Sequence, residues 1–285
     1  MRIFITEDEF TSFLPNILPV VGNEVKLLDK LNSYIAAAEE RVIRDFTGQK
    51  VFDDICGLPV EERSHGALAR LVLSLALHEA IPAIDIVVTP NGLATVGTQT
   101  LVAASRARVE SLMNSLLVIR DDAINALLAE LRYSPDWRAS ERGTYYRETL
   151  FPDFVAVEAL GTRPGERWEK WLELRPQIQE IEEELAQGYI SPELMCQLRA
   201  EVLAGGSLSE QRAIAAARLR NMICVKLSTG HFNSRALSDL VNYIRNYPDA
   251  FSLWHESETA KLFEPPVFKN EKKSSGYFFS GGFYK

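Results

Sequence analysis

Cysteine is sparse in this chain: Cys56, Cys196 and Cys224 are its three, far apart among 285 residues. An odd, scattered set argues against a disulfide framework and fits buried thiols in a reducing compartment. Histidine numbers only four, and none of His65, His78, His231 and His255 has a partner at ligand spacing. His-x-x-x-His, Cys-x-x-Cys and Asp-x-Asp are missing, so no metal ligands are expected. A basic surplus is missing as well. Thirty-one Lys and Arg against 39 Asp and Glu give a net charge of −8, the wrong sign for a protein that holds phosphates by displacing their counterions. No run approaches the roughly 20 uncharged apolar residues of a membrane helix; the nearest, Leu68 to Ala80, contains Arg70, His78 and Glu79. Met1 to Phe13 carries acidic residues and no apolar run, unlike a secretory signal.

Catalytic signatures are lacking too. The chain has no Gly-x-x-x-x-Gly-Lys-Ser/Thr, no Gly-x-Gly-x-x-Gly and no Gly-x-Ser-x-Gly, and Gly205-Gly206-Ser207 lacks the lysine of a phosphate loop. Carboxylates stand side by side at Glu39-Glu40, Asp53-Asp54, Asp121-Asp122 and Glu182-Glu183-Glu184. General acid–base work needs carboxylates that converge in a cleft. Neighbours on a helix diverge, so these read as solvated faces. Arg106, Arg108 and Arg120, and again Arg212, Arg218 and Arg220, read as salt-bridged helix faces. No catalytic and no cofactor-binding residues are expected, and the chain reads as something other than an enzyme.

What the chain does have is helical periodicity and enough apolar material, 46% hydrophobic against 25% charged, to bury a core. Thr6-x-x-Glu9 has the spacing of a capping box and opens a short helix. Apolar residues return at helical spacing from Glu24 to Phe46, and Gly48 supplies a stop. A second helix, from about Glu61 to Ala80, is apolar around most of its cylinder and is expected at the centre, closed by Pro82. The texture then turns β-branched: Ile84 to Thr89, the turn Pro90-Asn91-Gly92, and Leu93 to Val96 predict a β-hairpin. A long helix comes next, from about Ala103 to Arg132, with a break expected at Asp121-Asp122. Further helices are expected at Glu166 to Gln187 with a kink at Pro176, Pro192 to Leu203, Ser209 to Leu227 and Ser234 to Asn246. Trp168 and Trp171 should anchor the packing between blocks.

The predicted fold is mostly α, a helical bundle with one β-hairpin and an extended C-terminal tail. The expected organisation is an N-terminal helical block over 1–133 with the hairpin near 84–97, a connecting segment over 134–165, a second helical block over 166–263, and a tail over 264–285. The two blocks share landmarks. Ile35 to Phe46 aligns with Ile178 to Tyr189 without a gap, and Ser105-Arg106-Ala107 with Glu110 reappears as Ser234-Arg235-Ala236 with Asp239. Matches this sparse also arise between unrelated helices, so a duplication and a chance likeness both stand open. After Pro265-Pro266 and a charged stretch, the tail carries Tyr277, Phe278, Phe279, Phe283 and Tyr284 among Gly and Ser. Five aromatics in such a segment need burial, either on the protein's own body or in a partner's pockets.

The stretch Ile86-Val-Val-Thr-Pro-Asn-Gly-Leu-Ala-Thr-Val-Gly97, continued by Leu101-Val-Ala-Ala-Ser-Arg-Ala-Arg-Val-Glu-Ser-Leu112, resembles a family encoded by phages and prophages of gut bacteria. In that family too a Thr-Pro-Asn-Gly hairpin precedes an Ala-Ser-x-x-Arg-Val-Glu helix. The helices near Tyr34 to Gly48 and Leu68 to Ala80 make the arrangement similar to the head–tail connector, or adaptor, proteins of tailed phages, which form rings beneath the portal. The motif-level match covers only the hairpin and the start of the next helix; elsewhere the likeness is one of helix order. The chain is also about twice the length of the usual adaptor, which fits two adaptor-like blocks in tandem.

The resemblance implies a virion neck subunit, made in the bacterial host cytoplasm. Its partners would be copies of itself in a ring, the portal protein and other neck or tail proteins. DNA would be passing cargo, with no membrane involved. Contacts are then expected from Val88, Thr89, Pro90, Asn91, Gly92 and Leu93 of the hairpin and from Tyr277, Phe278, Phe279, Phe283 and Tyr284 of the tail. An acidic lining would repel a passing genome rather than hold it. Two other readings are a cytoplasmic assembly or scaffolding module not retained in the particle, and an enzyme with an unrecognised site.

Overall fold

A helix persists where apolar side chains return every three or four residues and find something to pack on. In the computed structural model, which describes Ile3 and residues 27–84, 86–89, 92–95, 105–205 and 208–264, the first such helix is α1, Leu27–Val42. It buries Leu31, Ile35, Ala38 and Val42 along one face. The expected helix at Thr6 lies outside the described residues. After Val42 the coil widens into a π-helical turn, Ile43–Thr47, in which the Gly48 N–H donates to the Ile43 carbonyl at 2.8 Å. Gly48 sits at φ 73°, a conformation open to a residue without a Cβ, and α2, Gln49–Cys56, begins there.

The central helix is α3, Arg63–Ile84. It is long and apolar enough to cross a membrane by length and composition, but more than half of that stretch is buried inside the protein, chiefly against α1 and α4, Arg106–Leu131. Pro82 does not close α3; the helix runs on to Ile84. Proline there forfeits only the one N–H that would donate to the His78 carbonyl a turn back, a loss met two residues before the helix ends. Ile84 therefore ends a helix rather than starting a strand. The hairpin strands are β1, Ile86–Thr89, and β2, Gly92–Thr95, antiparallel with Ile86 opposite Thr95 and Val88 opposite Leu93. The expected break at Asp121-Asp122 does not occur, and α4 is continuous through it.

Residues 134–165 are not an exposed connector. They form α5, Pro135–Ala139, α6, Glu141–Arg147, and α7, Val155–Ala159. Trp137, Tyr146, Leu150, Phe151, Ala156 and Val157 are all 0% exposed. One continuous apolar cluster runs from the first helices through this segment into the last. Irregular periodicity here reflects short helices, with Trp137 of α5, Tyr146 of α6 and Val157 of α7 inserted into the core, not a lack of packing.

The remaining helices are α8, Arg167–Leu185, a second π-helical turn, Ala186–Ile190, α9, Pro192–Ala204, α10, Glu210–Thr229, α11, Ser234–Asn246, α12, Ser252–His255, and α13, Glu258–Lys261. Helix α8 continues through Pro176, which lies on its exposed side.

The two halves share one plan. The ungapped match of Ile35–Phe46 with Ile178–Tyr189 carries over into structure: α1 ends in a π-helical turn and so, in the same register, does α8. Ser191 takes the place of Gly48, with φ 76° and its N–H on the Ala186 carbonyl at 2.9 Å. The buried residues Ala215, Ala216, Leu219, Met222 and Ile223 of α10 repeat the spacing of Leu68, Ala69, Val72, Leu75 and Ala76 in α3. Past the next helix the correspondence is sharper. Trp137 donates its indole N–H to the Phe46 carbonyl at 2.7 Å, and Trp254 to the Tyr189 carbonyl at 2.8 Å. Three residues on, Ser140 and Ser257 each donate to that tryptophan's carbonyl at 2.6 Å, while each Oγ caps the next helix by accepting from Gly143 or Ala260.

Counted back from these tryptophans, Leu237, Leu240, Val241 and Ile244 of α11 stand opposite Arg120, Ala123, Ile124 and Leu127, all buried. Helix α11 thus corresponds to the C-terminal half of α4. The Ser105 and Ser234 landmarks are two helix starts, not equivalent positions. The first unit has in addition the end of α3, the hairpin and the first half of α4.

Candidate functional site

The extra piece of the first unit is the natural place to look for a surface made for a partner. Its backbone is a helix pair joined through a two-stranded hairpin. From Ser105 to Ser115 no side chain is buried. The face expected to be apolar is partly out in water, with Leu112 49% and Ile119 44% exposed; burial begins only at Leu116, where α4 meets the body. Of the hairpin residues expected to make contacts, Val88 and Thr89 lie in β1 and Gly92 and Leu93 in β2, with Val88 paired to Leu93 and Thr89 to Gly92. Pro90 and Asn91 lie outside the described residues, as do Tyr277, Phe278, Phe279, Phe283 and Tyr284. The hairpin residues are therefore brought together, and the tail residues are not placed.

Where α4 reaches the body, it is clasped to the second unit. Arg120, 5% exposed, donates to Asp121 at 2.6 Å, to the Gly165 carbonyl at 3.1 Å and to both carboxylate oxygens of Glu169. Asp121, 0% exposed, also accepts from the Arg167 N–H at 2.9 Å. Below this clasp lies a stack of rings: Phe46 on Trp168 at 4.9 Å, Trp168 on Trp171 at 5.3 Å, and Trp171 on Tyr146 at 5.6 Å. Trp168 and Trp171 do join the two blocks. Trp137, which packs on Tyr146 to complete the join, is legible in the repeated pattern Trp137-Arg-Ala-Ser-Glu141 and Trp254-His-Glu-Ser-Glu258.

The adjacent carboxylates are not all solvated. One member of three sets points inward, because successive helix residues diverge and the buried one finds donors. Glu182 accepts from the Leu150 N–H at 2.8 Å and from Arg199 at 2.7 Å. Glu39 accepts from the Ile3 N–H at 2.9 Å in the equivalent place. In the first unit Cys56 replaces Arg199; burial, and then the charge of Glu39, push its thiol up to about 12. Burial also holds the Glu182 carboxyl above its ordinary value, although Arg199 pulls the other way. Each acts as an anchor for the backbone of an upstream segment.

The arginines are similarly occupied. Arg220 donates to the Leu150 carbonyl at 2.7 Å and to both oxygens of Asp153, Arg212 to the Ala250 carbonyl and Glu201, and Arg218 lies over the Tyr243 ring at 4.5 Å. Arg106 pairs with Glu110. Among the described residues no group of three or more His, Cys, Asp or Glu could hold a metal ion. Three surface grooves among the described residues are open and measure about 300 to 430 Å³; the one of about 430 Å³, lined by Arg212, Tyr247 and Asp249 among others, has its arginine already committed to Ala250 and Glu201.

Comparison with known proteins adds one likeness. A family of unknown function, DUF6712, matches residues 17–147, a span that takes in α1 and ends with the last residue of α6, which is the first unit and its closing tryptophan segment. No curated protein and no solved structure matches.

Proposed function

We propose that the chain is a virion structural protein, a ring-forming subunit of the neck that bridges portal and tail in a phage particle. The observation that carries this reading is the arm of the first unit. A paired hairpin leads from α3 into α4, whose first turns, Ser105 to Ser115, bury no side chain. Leu112 there, 49% exposed, is the kind of surface that neighbouring subunits cover. The resemblance of residues 86–112 to a family encoded by phages and prophages, and of the surrounding helix order to head–tail adaptors, suggests that partner's identity: other copies in the ring, then the portal and tail components. The buried carboxylates Glu39 and Glu182 support it from the other side, since each holds an upstream backbone segment in place.

The test is made on particles. Mass spectrometry of purified virions should find the chain in a small fixed number of copies, and replacing residues 86–95 by a Gly-Ser linker should leave helical content unchanged while stopping incorporation. Virions that contain none of it would mark it as an assembly factor that leaves before completion and end the neck reading.

A further inference from the structure

In the first unit the ring pair Phe46 and Tyr146 is sealed by chain that comes later. Trp168 covers Phe46 and Trp171 stacks on Tyr146, leaving the pair 2% and 0% exposed. The second unit builds the same pair. Tyr189 and Phe263 stand 6.2 Å apart, with Trp254 at 6.2 Å from Phe263 and hydrogen-bonded to the Tyr189 carbonyl. Here both rings stay half-buried, and Leu262 beside them is 71% exposed. Among the described residues the second pair has no covering tryptophan.

The C-terminal segment has the right chemistry to supply a cover. Residues 265–285 hold Phe268, Tyr277, Phe278, Phe279, Phe283 and Tyr284, with four lysines against a single glutamate. The rim of the uncovered pair keeps an acidic surplus: Glu256, Glu258 and Glu264 are exposed, against Lys261, which pairs with Glu258, and Arg245, which donates to the Phe263 carbonyl. An aromatic, basic segment and an aromatic, acidic socket are complementary in both respects. Pro265 and Pro266 directly follow Glu264 in the sequence, and a proline pair favours an extended run over an immediate turn back.

We propose that the Tyr189–Leu262–Phe263 face of one copy receives the Tyr277–Tyr284 segment of a second copy, reproducing between chains the seal that Trp168 and Trp171 make within one. This rests on the proposed neck ring for its setting and names the contact that would link successive subunits. A tail handed forward in this way joins copies head to tail, which closes into a ring when the rotation between subunits allows.

Sedimentation velocity on the full chain tests it without particles. The wild-type chain should self-associate as concentration rises. L262D, a change at a mostly exposed position, and the triple substitution Y277S/F278S/F279S should each weaken association at least about tenfold, as expected for losing an aromatic anchor. Mixed together, the two variants should form a one-to-one complex, since one retains the segment and the other the socket. Circular dichroism confirms that both remain folded. A wild-type chain that stays monomeric throughout, or a triple variant that associates as well as wild type, would overturn the proposal. So would a monomer whose tail resists protease, which would place the segment on its own socket. The neck reading fails separately, by absence of the chain from particles.

Discussion

Trp137 and Trp254 make the same hydrogen bond in two halves of one chain, each giving its indole N–H to the carbonyl of the fourth residue of a π-helical turn, Phe46 in one case and Tyr189 in the other. A π-helical turn widens the helix by one residue and leaves its carbonyls poorly paired at the exit. A buried indole supplies the missing donor, and its ring fills the space beside the turn. The pairing explains why so distant a segment must return to the end of α1, and of α8.

Trp137→Phe and Trp254→Phe should each leave a carbonyl without its donor and lower stability by about 1–3 kcal/mol. Urea unfolding followed by fluorescence measures this. Because the core is continuous, both variants should unfold in one transition; a separate early transition in Trp254→Phe would show that the halves are thermodynamically independent.

Ser191 is the one non-glycine with positive φ among the described residues, and the equivalent position in the first unit is Gly48. A side chain there strains the backbone by about 1–3 kcal/mol, while replacing a serine cap by glycine costs only a few tenths. Ser191→Gly should therefore stabilise the protein, by about 1 kcal/mol, seen as a raised denaturation midpoint. A lowered midpoint would mean that the bond from Leu194 N–H to Ser191 Oγ outweighs the strain.

Removing Arg120 leaves Asp121 buried without its cation. Arg120→Met should cost about 3–5 kcal/mol, as for other broken buried pairs. Glu169→Gln should cost far less, because Glu169 is 57% exposed. Guanidinium titrations of the two variants side by side check the order.

Glu182 gives the stability a pH dependence of known sign. Its folded carboxyl is raised above the unfolded value, chiefly by burial, so folding favours its protonated form. Its contribution is complete below the ordinary carboxylate range and is lost as pH rises through the raised value. Wild type measured against Glu182→Gln should lose relative stability over that interval. A gain with rising pH would mean that Arg199 dominates over burial.

Thiol reactivity should divide by environment. Cys196 is exposed, whereas the Cys56 thiol is buried and pushed up to about 12; the thiolate is the reacting form. At mildly alkaline pH a disulfide reagent should label Cys196 rapidly in the folded chain and Cys56 only after unfolding, as peptide mapping would show.

The sequence alone was enough for the seven long helices α1, α3, α4, α8, α9, α10 and α11 and their order, though not for the short ones, for the hairpin strands apart from Ile84, for Gly48 as a stop and for Trp168 and Trp171 as the join, because periodicity and turn chemistry are local. It also held the Ile35 and Ile178 match. That 134–165 packs was already suggested by Tyr145, Tyr146, Phe151 and Phe154. Only the tertiary structure could decide that the match is a register shared by two π-helical turns and that Ser105 and Ser234 are not equivalent. Those depend on which distant group faces which. A carboxylate at Glu39, Asp121 or Glu182 looks solvated in a one-dimensional pattern; whether it is buried depends on Ile3, Arg120 and Leu150 arriving from elsewhere in the chain to satisfy it.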